Sequence, residues 1–489
     1  MTIQFPKTPS FTGFFAPVGV EGAVDHLPVL EGAIPADLDG AFYRVAPDPH
    51  FPPLAQDDIW FNGDGMVTMF RLKDGHAGLR QKWARTPKFL KEEAAGHALF
   101  GAYRNPLTDD PAVKGEVRGT ANTNVIVHAG KLLALKEDSP PVAMDPWTLE
   151  TTDPEYRFGG KLKSETFTAH PKVDPKTGEL LAFSYAATGL LTRDIVFYTI
   201  SPGGEITKEI WFEIPYYCMM HDWGITEDYV VFHVVPSVSD WERLENRLPH
   251  FGFDKKRPVH LGVLPRRGGA ADIRWFSMPN LFASHVMNAH NVGSKVFFDT
   301  PTAKGNMFPF FPDVDGDPFE PHNAASRLTR WTVDMLDNSD EIHMERLTDL
   351  VGEFPRIDDR VAGQDYTHGW LLVQDMEKPV EIPGGRSAAG MLMNTIGHLN
   401  VKTGETETWW CGPVSSLQEP AFIPRPGSTQ EGDGYLVMIE NRLAELGSRL
   451  LLLDAQRVSE GPIAVIGLPF RIRPGLHGNW YTADQIGAA

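Results

Sequence analysis

Apolar residues along the chain fall in short runs, each broken by turn-forming residues. Asn124–His128 is followed by Ala129-Gly130-Lys131 and then by Leu132–Leu135, which reads as strand, tight turn, strand. Leu180–Tyr185 follows the turn sequence Asp174-Pro175-Lys176-Thr177-Gly178. Asp194–Ile200 leads into Ser201-Pro202-Gly203-Gly204, and Glu209–Ile214 returns. Tyr229–Val235, Lys295–Asp299 and Leu450–Asp454 have the same character. Helical periodicity is confined to short stretches, such as Lys88 to Phe100. Many short strands at hairpin spacing predict an all-β fold: a propeller, a large sandwich pair or a solenoid.

No sequence repeat of fixed period is present, which argues against a WD-type propeller or a β-helix. A looser repeat does occur. A histidine opens a strand, a turn follows, and an apolar strand runs outward about ten residues later, the size of one hairpin arm. His170 precedes Leu180–Tyr185 in this way, His221 precedes Tyr229–Val235, and His285 precedes Lys295–Asp299. In a radial fold, equivalent positions on the innermost strands converge on the axis, so these histidines would meet. His477 lies in Pro474-Gly475-Leu476-His477-Gly478-Asn479-Trp480, where glycines allow close backbone approach, and could close the ring. At 489 residues the length exceeds that of a usual single core, but no Gly/Ser or Pro linker divides the chain. A single domain over 1–489 is expected.

Composition narrows the function. The formal charge of −19 repels phosphate backbones, and no Lys/Arg run makes a local basic patch, so nucleic acid is a poor partner. Cys218 and Cys411 read as two lone buried thiols, and the absence of a CxxC pair removes a zinc ribbon or thioredoxin-type motif. The first residues do not read as a signal peptide, and no window approaches 18 apolar residues, so no membrane span and a cytoplasmic location are expected. No GxGxxG follows a strand to suggest an organic cofactor.

The chain has seventeen histidines, most of them expected to be structural. The four singled out above coincide with a wider pattern. It runs from Gly32-Ala33-Ile34-Pro35-Ala36-Asp37-Leu38-Asp39-Gly40 through Phe61-Asn62-Gly63-Asp64-Gly65-Met66-Val67, Ala121-Asn122-Thr123-Asn124 and Gly352-Glu353-Phe354-Pro355-Arg356. Gln418-Glu419-Pro420-Ala421-Phe422 and Leu476-His477-Gly478-Asn479-Trp480 complete it. Each motif is weak alone; together and in order they are specific. The chain resembles the carotenoid cleavage oxygenases, and within them the stilbene-cleaving branch, nearly end to end.

That resemblance implies a seven-bladed β-propeller, with loops and short helices forming a cap over an axial iron(II) held by His170, His221, His285 and His477. Four neutral imidazoles suit iron(II) and leave two octahedral positions open for dioxygen or water. It also implies that Glu137, Glu353 and Glu419 accept the distal ring N–H groups, leaving one histidine without such a partner. An isolated Glu reads as surface charge. Here the apolar flanks of Glu353 and Glu419 suggest burial, and buried carboxylates need partners. His290, five residues after His285, is a departure from the family pattern and is not read as a ligand. Thr123 is placed beside an open iron position.

Three further residues bear on the substrate through the same resemblance. Phe61 would stack on an aryl ring, while Tyr103 and Lys136 would bind the 4-hydroxyl of a stilbene. A phenol held there is stabilised as phenolate, because a nearby cation favours the charged form, and phenolate pushes electrons into the central alkene. Lys136 also admits a plainer reading, as an edge-strand lysine reaching solvent. The expected activity is therefore cleavage of a 4-hydroxystilbene, of lignostilbene or resveratrol type, by dioxygen into two aromatic aldehydes. A homodimer is suggested by the family alone. The rivals are an apocarotenoid substrate at the same iron site, a calcium-bearing hydrolytic propeller, which would need converging Asp, Glu and Asn, and a propeller scaffold without chemistry.

Overall fold

The computed structural model describes residues 4–381 and 393–487 and is built almost entirely of antiparallel β-sheet. The expected strands are present. Leu180–Tyr185 and Asp194–Ile200 have the bounds read from the sequence, and Lys131–Leu135 pairs with Asn124–His128 across the Ala129-Gly130 turn. The chain divides into two compact units. Residues 1–163, 376–396 and 408–489 form the first, and residues 164–375 and 397–407 the second.

In the first unit one sheet has the order Gly22–Val24, His76–Trp83, Gly65–Lys73, Asp39–Pro47, Gly478–Thr482. It joins distant parts of the chain, with Arg44 opposite Gly478 and Phe42 opposite Trp480. Both faces of Asp39–Pro47 are covered. Ala41, Tyr43 and Val45 pack with Val67, Val125 and Leu132, whereas Phe42 on the other face packs with Phe70, Leu450 and Ile466. Burial on two faces is why apolar residues occupy both sides of this strand, at Ala41, Phe42, Tyr43 and Val45, with no alternation. Each fully buried aromatic such as Phe42 stabilises the fold by about 1.5–3 kcal/mol. A second sheet holds Asn124–His128, Lys131–Leu135, Val142–Met144 and Thr151–Asp153. A third includes Val29–Gly32, Pro462–Gly467, Gly447–Asp454 and Gly434–Arg442.

The second unit contains one sheet of order Lys172–Val173, Leu180–Tyr185, Asp194–Ile200, Ile206–Glu213, and another of order Gly224–Ile225, Tyr229–Val234, Val259–Pro265, Arg274–Met278. A larger sheet follows, with Asn288–Val292 paired to Lys295–Ala303 and continuing through Arg327–Asp334, His343–Ile357 and His368–Val373. Its core is aliphatic and aromatic, with Val231, Leu261, Phe276, Phe298 and Trp331 all fully or nearly fully buried.

Helix is scarce. The expected stretch from Lys88 is a helix over Pro87–Ala95, opened by the Thr86 hydroxyl accepting from the Phe89 N–H and closed by Gly96 at φ +76°. It stops short of Phe100 because Glu92 instead accepts from the Leu99 and Phe100 amides, at 2.8 and 3.0 Å. Cys218 and Cys411 are both buried and free. No helix among the described residues is long and apolar enough to cross a membrane.

Candidate active site

Each of the four histidines lies in irregular backbone shortly before a strand. His170 precedes Lys172–Val173, His221 precedes Gly224–Ile225, His285 precedes Asn288–Val292, and His477 precedes Gly478–Thr482. The position read from the sequence as the start of a hairpin is therefore a loop seated on the sheet, held by side chains. The indole N–H of Trp223 donates to the His170 carbonyl at 2.7 Å. The Thr300 hydroxyl donates to the His285 carbonyl at 2.6 Å.

In the second unit His170, His221 and His285 turn their Nε2 atoms on one another. His221 Nε2 lies 3.2 Å from His170 Nε2 and 3.0 Å from His285 Nε2. His285 Nδ1 stands 2.5 Å from Glu353 Oε2. With Glu353 ionised, Nδ1 donates and Nε2 keeps the lone pair. Glu353 is aimed there by an irregularity in its strand, where the pairing register shifts between Glu353 and Arg356. Phe354, next in sequence, adopts φ +53°, donates its N–H to Glu353 Oε2 at 2.6 Å, and lays its ring on His285 at 5.0 Å. A left-handed backbone at a bulky residue is strained, and such strain gathers at functional sites. One proton on His221 Nε2 could satisfy only one of its two nitrogen neighbours. Three converging imidazole nitrogens are the donor set of a transition-metal cation, and iron(II) fits it.

In the first unit His477 is anchored in the same style. Its Nδ1 is 2.9 Å from Glu419 Oε1, and the other oxygen of Glu419 accepts from the Gly478 N–H at 3.1 Å. The His477 N–H donates to the Thr123 carbonyl at 3.1 Å, which sets Thr123 beside it. Gly478 must be glycine, because a Cβ there would stand 2.6 Å from the Tyr43 carbonyl oxygen. Glu419, His477 and Thr123 are all buried, as is Glu137.

The three substrate candidates also lie in the first unit. The Phe61 and Tyr103 rings are 6.4 Å apart, and the Lys136 ammonium lies 5.0 Å from the centre of the Tyr103 ring. Lys136 is only 3% exposed, so it is not an edge lysine reaching solvent. Burial lowers its pKa from the ordinary lysine value, while Asp138 at 3.2 Å pulls the other way. Burial raises the Tyr103 phenol well above its usual range, opposed by the neighbouring Arg104. Tyr103 is thus a hydroxyl donor at neutral pH. The loops that carry Phe61 and Tyr103 are tied together. Asp58 accepts from the Tyr103 N–H at 3.2 Å and from the Asn62 amide at 2.6 Å, and Asn62 also donates to the Gly101 carbonyl.

Sequence reasoning missed Asp58, Arg104, Asp138 and Asp222. Asp222 had a signal, being a carboxylate adjacent to His221; the others are recognisable only from contacts across the fold. His290 stacks on Phe297 at 4.8 Å, with Nε2 3.6 Å from Asp365. A cleft of about 740 Å³ in the second unit is lined by Asp174, Lys176, Glu227 and Arg266 and by none of the candidate residues. Four of its charges pair with one another, Arg266 with Asp174 at 2.6 Å and Lys176 with Glu227 at 3.1 Å, and we assign the cleft no ligand.

The chain is 53% identical to lignostilbene-alpha,beta-dioxygenase isozyme III of Sphingomonas paucimobilis, covering 99% of both. It is 42% identical to resveratrol cleavage oxygenase 1 of Aspergillus fumigatus, over 100% of this chain and 98% of that one. The crystal structure of Pseudomonas brassicacearum lignostilbene dioxygenase superposes with a TM-score of 0.94 at 45% identity, over 98% of this chain and 100% of the other. The retinal pigment epithelial membrane protein family matches residues 15–482, and the chain belongs to that family, which is the carotenoid oxygenase family of the sequence motifs.

Proposed function

We propose that the protein is a non-haem iron(II) dioxygenase that cleaves the central alkene of 4-hydroxystilbenes into two aromatic aldehydes. His170, His221, His285 and His477 each offer one ligand nitrogen. We assign them to a single iron(II) ion on the axis of a seven-bladed propeller formed by one domain over 1–489. The observation that carries this reading is the convergence of imidazole nitrogens, with Glu353 on His285 and Glu419 on His477. Glu137 is assigned the same role toward a third histidine, and Thr123 a place beside an open coordination position.

Iron(II), when bound, supplies the activation of dioxygen, and both oxygen atoms leave in the products, one per aldehyde. The protein's own part is recognition and charge. Phe61 stacks on the phenol-bearing ring. Tyr103 donates to the 4-oxygen, and Lys136 holds or accepts its proton, which shifts the phenol toward phenolate. Phenolate enriches the alkene in electrons at the moment of oxidation. Two relatives that resemble this chain over its whole length carry stilbene-type names, which supports the substrate class.

The test is aldehyde formation in air by the iron(II)-loaded protein from a 4-hydroxystilbene, its 4-methoxy analogue and an apocarotenal. Cleavage of the hydroxystilbene alone is expected. Cleavage of the apocarotenal but neither stilbene would keep the iron and overturn the substrate. No cleavage of any, with iron bound, would overturn the reaction.

A further inference from the structure

The three histidine loops of the second unit converge on one buried carboxylate. Asp222 has a side chain only 3% exposed, and it follows His221 directly. Its Oδ1 is 2.7 Å from the Lys172 ammonium, two residues beyond His170, and accepts from the Trp223 N–H at 2.8 Å. Its Oδ2 accepts from the N–H of Val286, the residue after His285, at 2.8 Å. Oδ1 also lies 3.9 Å from His170 Nδ1. The residues joined are 50 and 64 positions apart, so no local turn rule brings them together.

We infer that Asp222 is a positioning residue that holds the loops of His221 and His285 in register for a divalent metal ion. The inference rests on the metal reading above. A carboxylate is needed because two backbone donors approach from different loops while a cation takes the outer side. A carboxylate has acceptor sites for all three, whereas an amide has one oxygen. In Asp222→Asn the new NH₂ must face one of the two N–H donors. Facing Val286 it breaks the tie to the His285 loop, and facing Trp223 it also meets the Lys172 ammonium, with side-chain volume unchanged in either case. Lys172, by contrast, contributes charge and not loop geometry, since its side chain is 24% exposed.

The experiment is titration of the metal-free full-length protein with cobalt(II), for wild type, D222N and K172M, with thermal midpoints of the metal-free forms alongside. D222N is expected to bind cobalt(II) about 10–100-fold more weakly, the usual loss when a partner of the ligand shell is removed. K172M keeps both backbone bonds to Asp222 and is expected to stay within about threefold of wild type, as for a partly exposed ion pair. Wild-type affinity in D222N, even with a lowered midpoint, would make Asp222 merely structural and overturn the inference. Equal loss in K172M and D222N would overturn it too, by assigning the effect to charge alone. If D222N fails to fold, the K172M result and slow hydrogen exchange of the Val286 amide in the metal-free wild type decide. A wild type that binds no cobalt(II) would fail the metal reading itself, which a difference confined to D222N would not.

Discussion

Replacing Lys136 with methionine isolates the role given to its charge. Methionine keeps an unbranched stem of similar reach and removes the ammonium that lies 3.2 Å from Asp138 and 5.0 Å from the Tyr103 ring. At 3% exposure, water does little to screen what that ammonium meets. A hydrogen bond to a charged partner contributes about 1.5–3 kcal/mol, and each 1.36 kcal/mol is tenfold. K136M is therefore expected to weaken binding of a 4-hydroxylated ligand about 10–150-fold. The side chain also has a structural duty toward Asp138, so the single mutant alone does not isolate the contact. A double-mutant cycle does. Its second arm is the ligand: 4-hydroxybibenzyl, which lacks the alkene and is not turned over, against its 4-methoxy analogue. Calorimetry on the four combinations is expected to give a coupling of about 1.5–3 kcal/mol. Equal losses for both ligands, within about twofold, would show that Lys136 does not meet the phenol oxygen, and the phenolate argument would fall with it.

Three other outcomes are expected. Lys88 is buried between Asp64 at 2.8 Å and Glu92 at 2.6 Å, so K88M leaves two buried carboxylates without their cation. It should cost about 3–5 kcal/mol in urea unfolding, and a loss below about 1 kcal/mol would contradict that reading. Burial and the neighbouring His368 push the His398 imidazole down to about 4, against roughly 6.5 in an unfolded chain. Its contribution to stability is fully present above pH 6.5 and drains away as pH falls toward 4; H398Q should flatten that part of the stability–pH curve, and an unchanged slope would count against it. Chelation of the loaded enzyme should abolish aldehyde formation, with recovery on adding iron(II) but not zinc(II); full recovery with zinc(II) would remove dioxygen activation from the metal's role.

Much of this was legible in the sequence for a simple reason. Strands such as Leu180–Tyr185 are covered on both sides and cannot hide their apolar runs. Ends were harder. Lys295–Ala303 continues past Asp299, where the sequence reading stopped, because pairing with Arg327–Asp334 carries it on through Thr300-Pro301-Thr302. The histidines were legible through their shared place before a strand. Arg104 and Asp138 were not, because their meaning lies in what meets them, and at Asp222 only its place beside His221 was a signal. Nothing local to Asp222 announces Lys172 or the Val286 amide.

The pairing of Asp39–Pro47 with Gly478–Thr482 joins segments far apart in the chain, so the strand beside His477 finds its place only once the later segment exists. A ribosome makes His170, His221 and His285 long before the strand that steadies His477. During that interval Asp39–Pro47 has one neighbour, Gly65–Lys73, and an open flank. A chain cut before His477 would keep three of the four imidazoles assigned to the metal, and one cut within Gly478–Thr482 would lose the strand pairing that steadies the fourth.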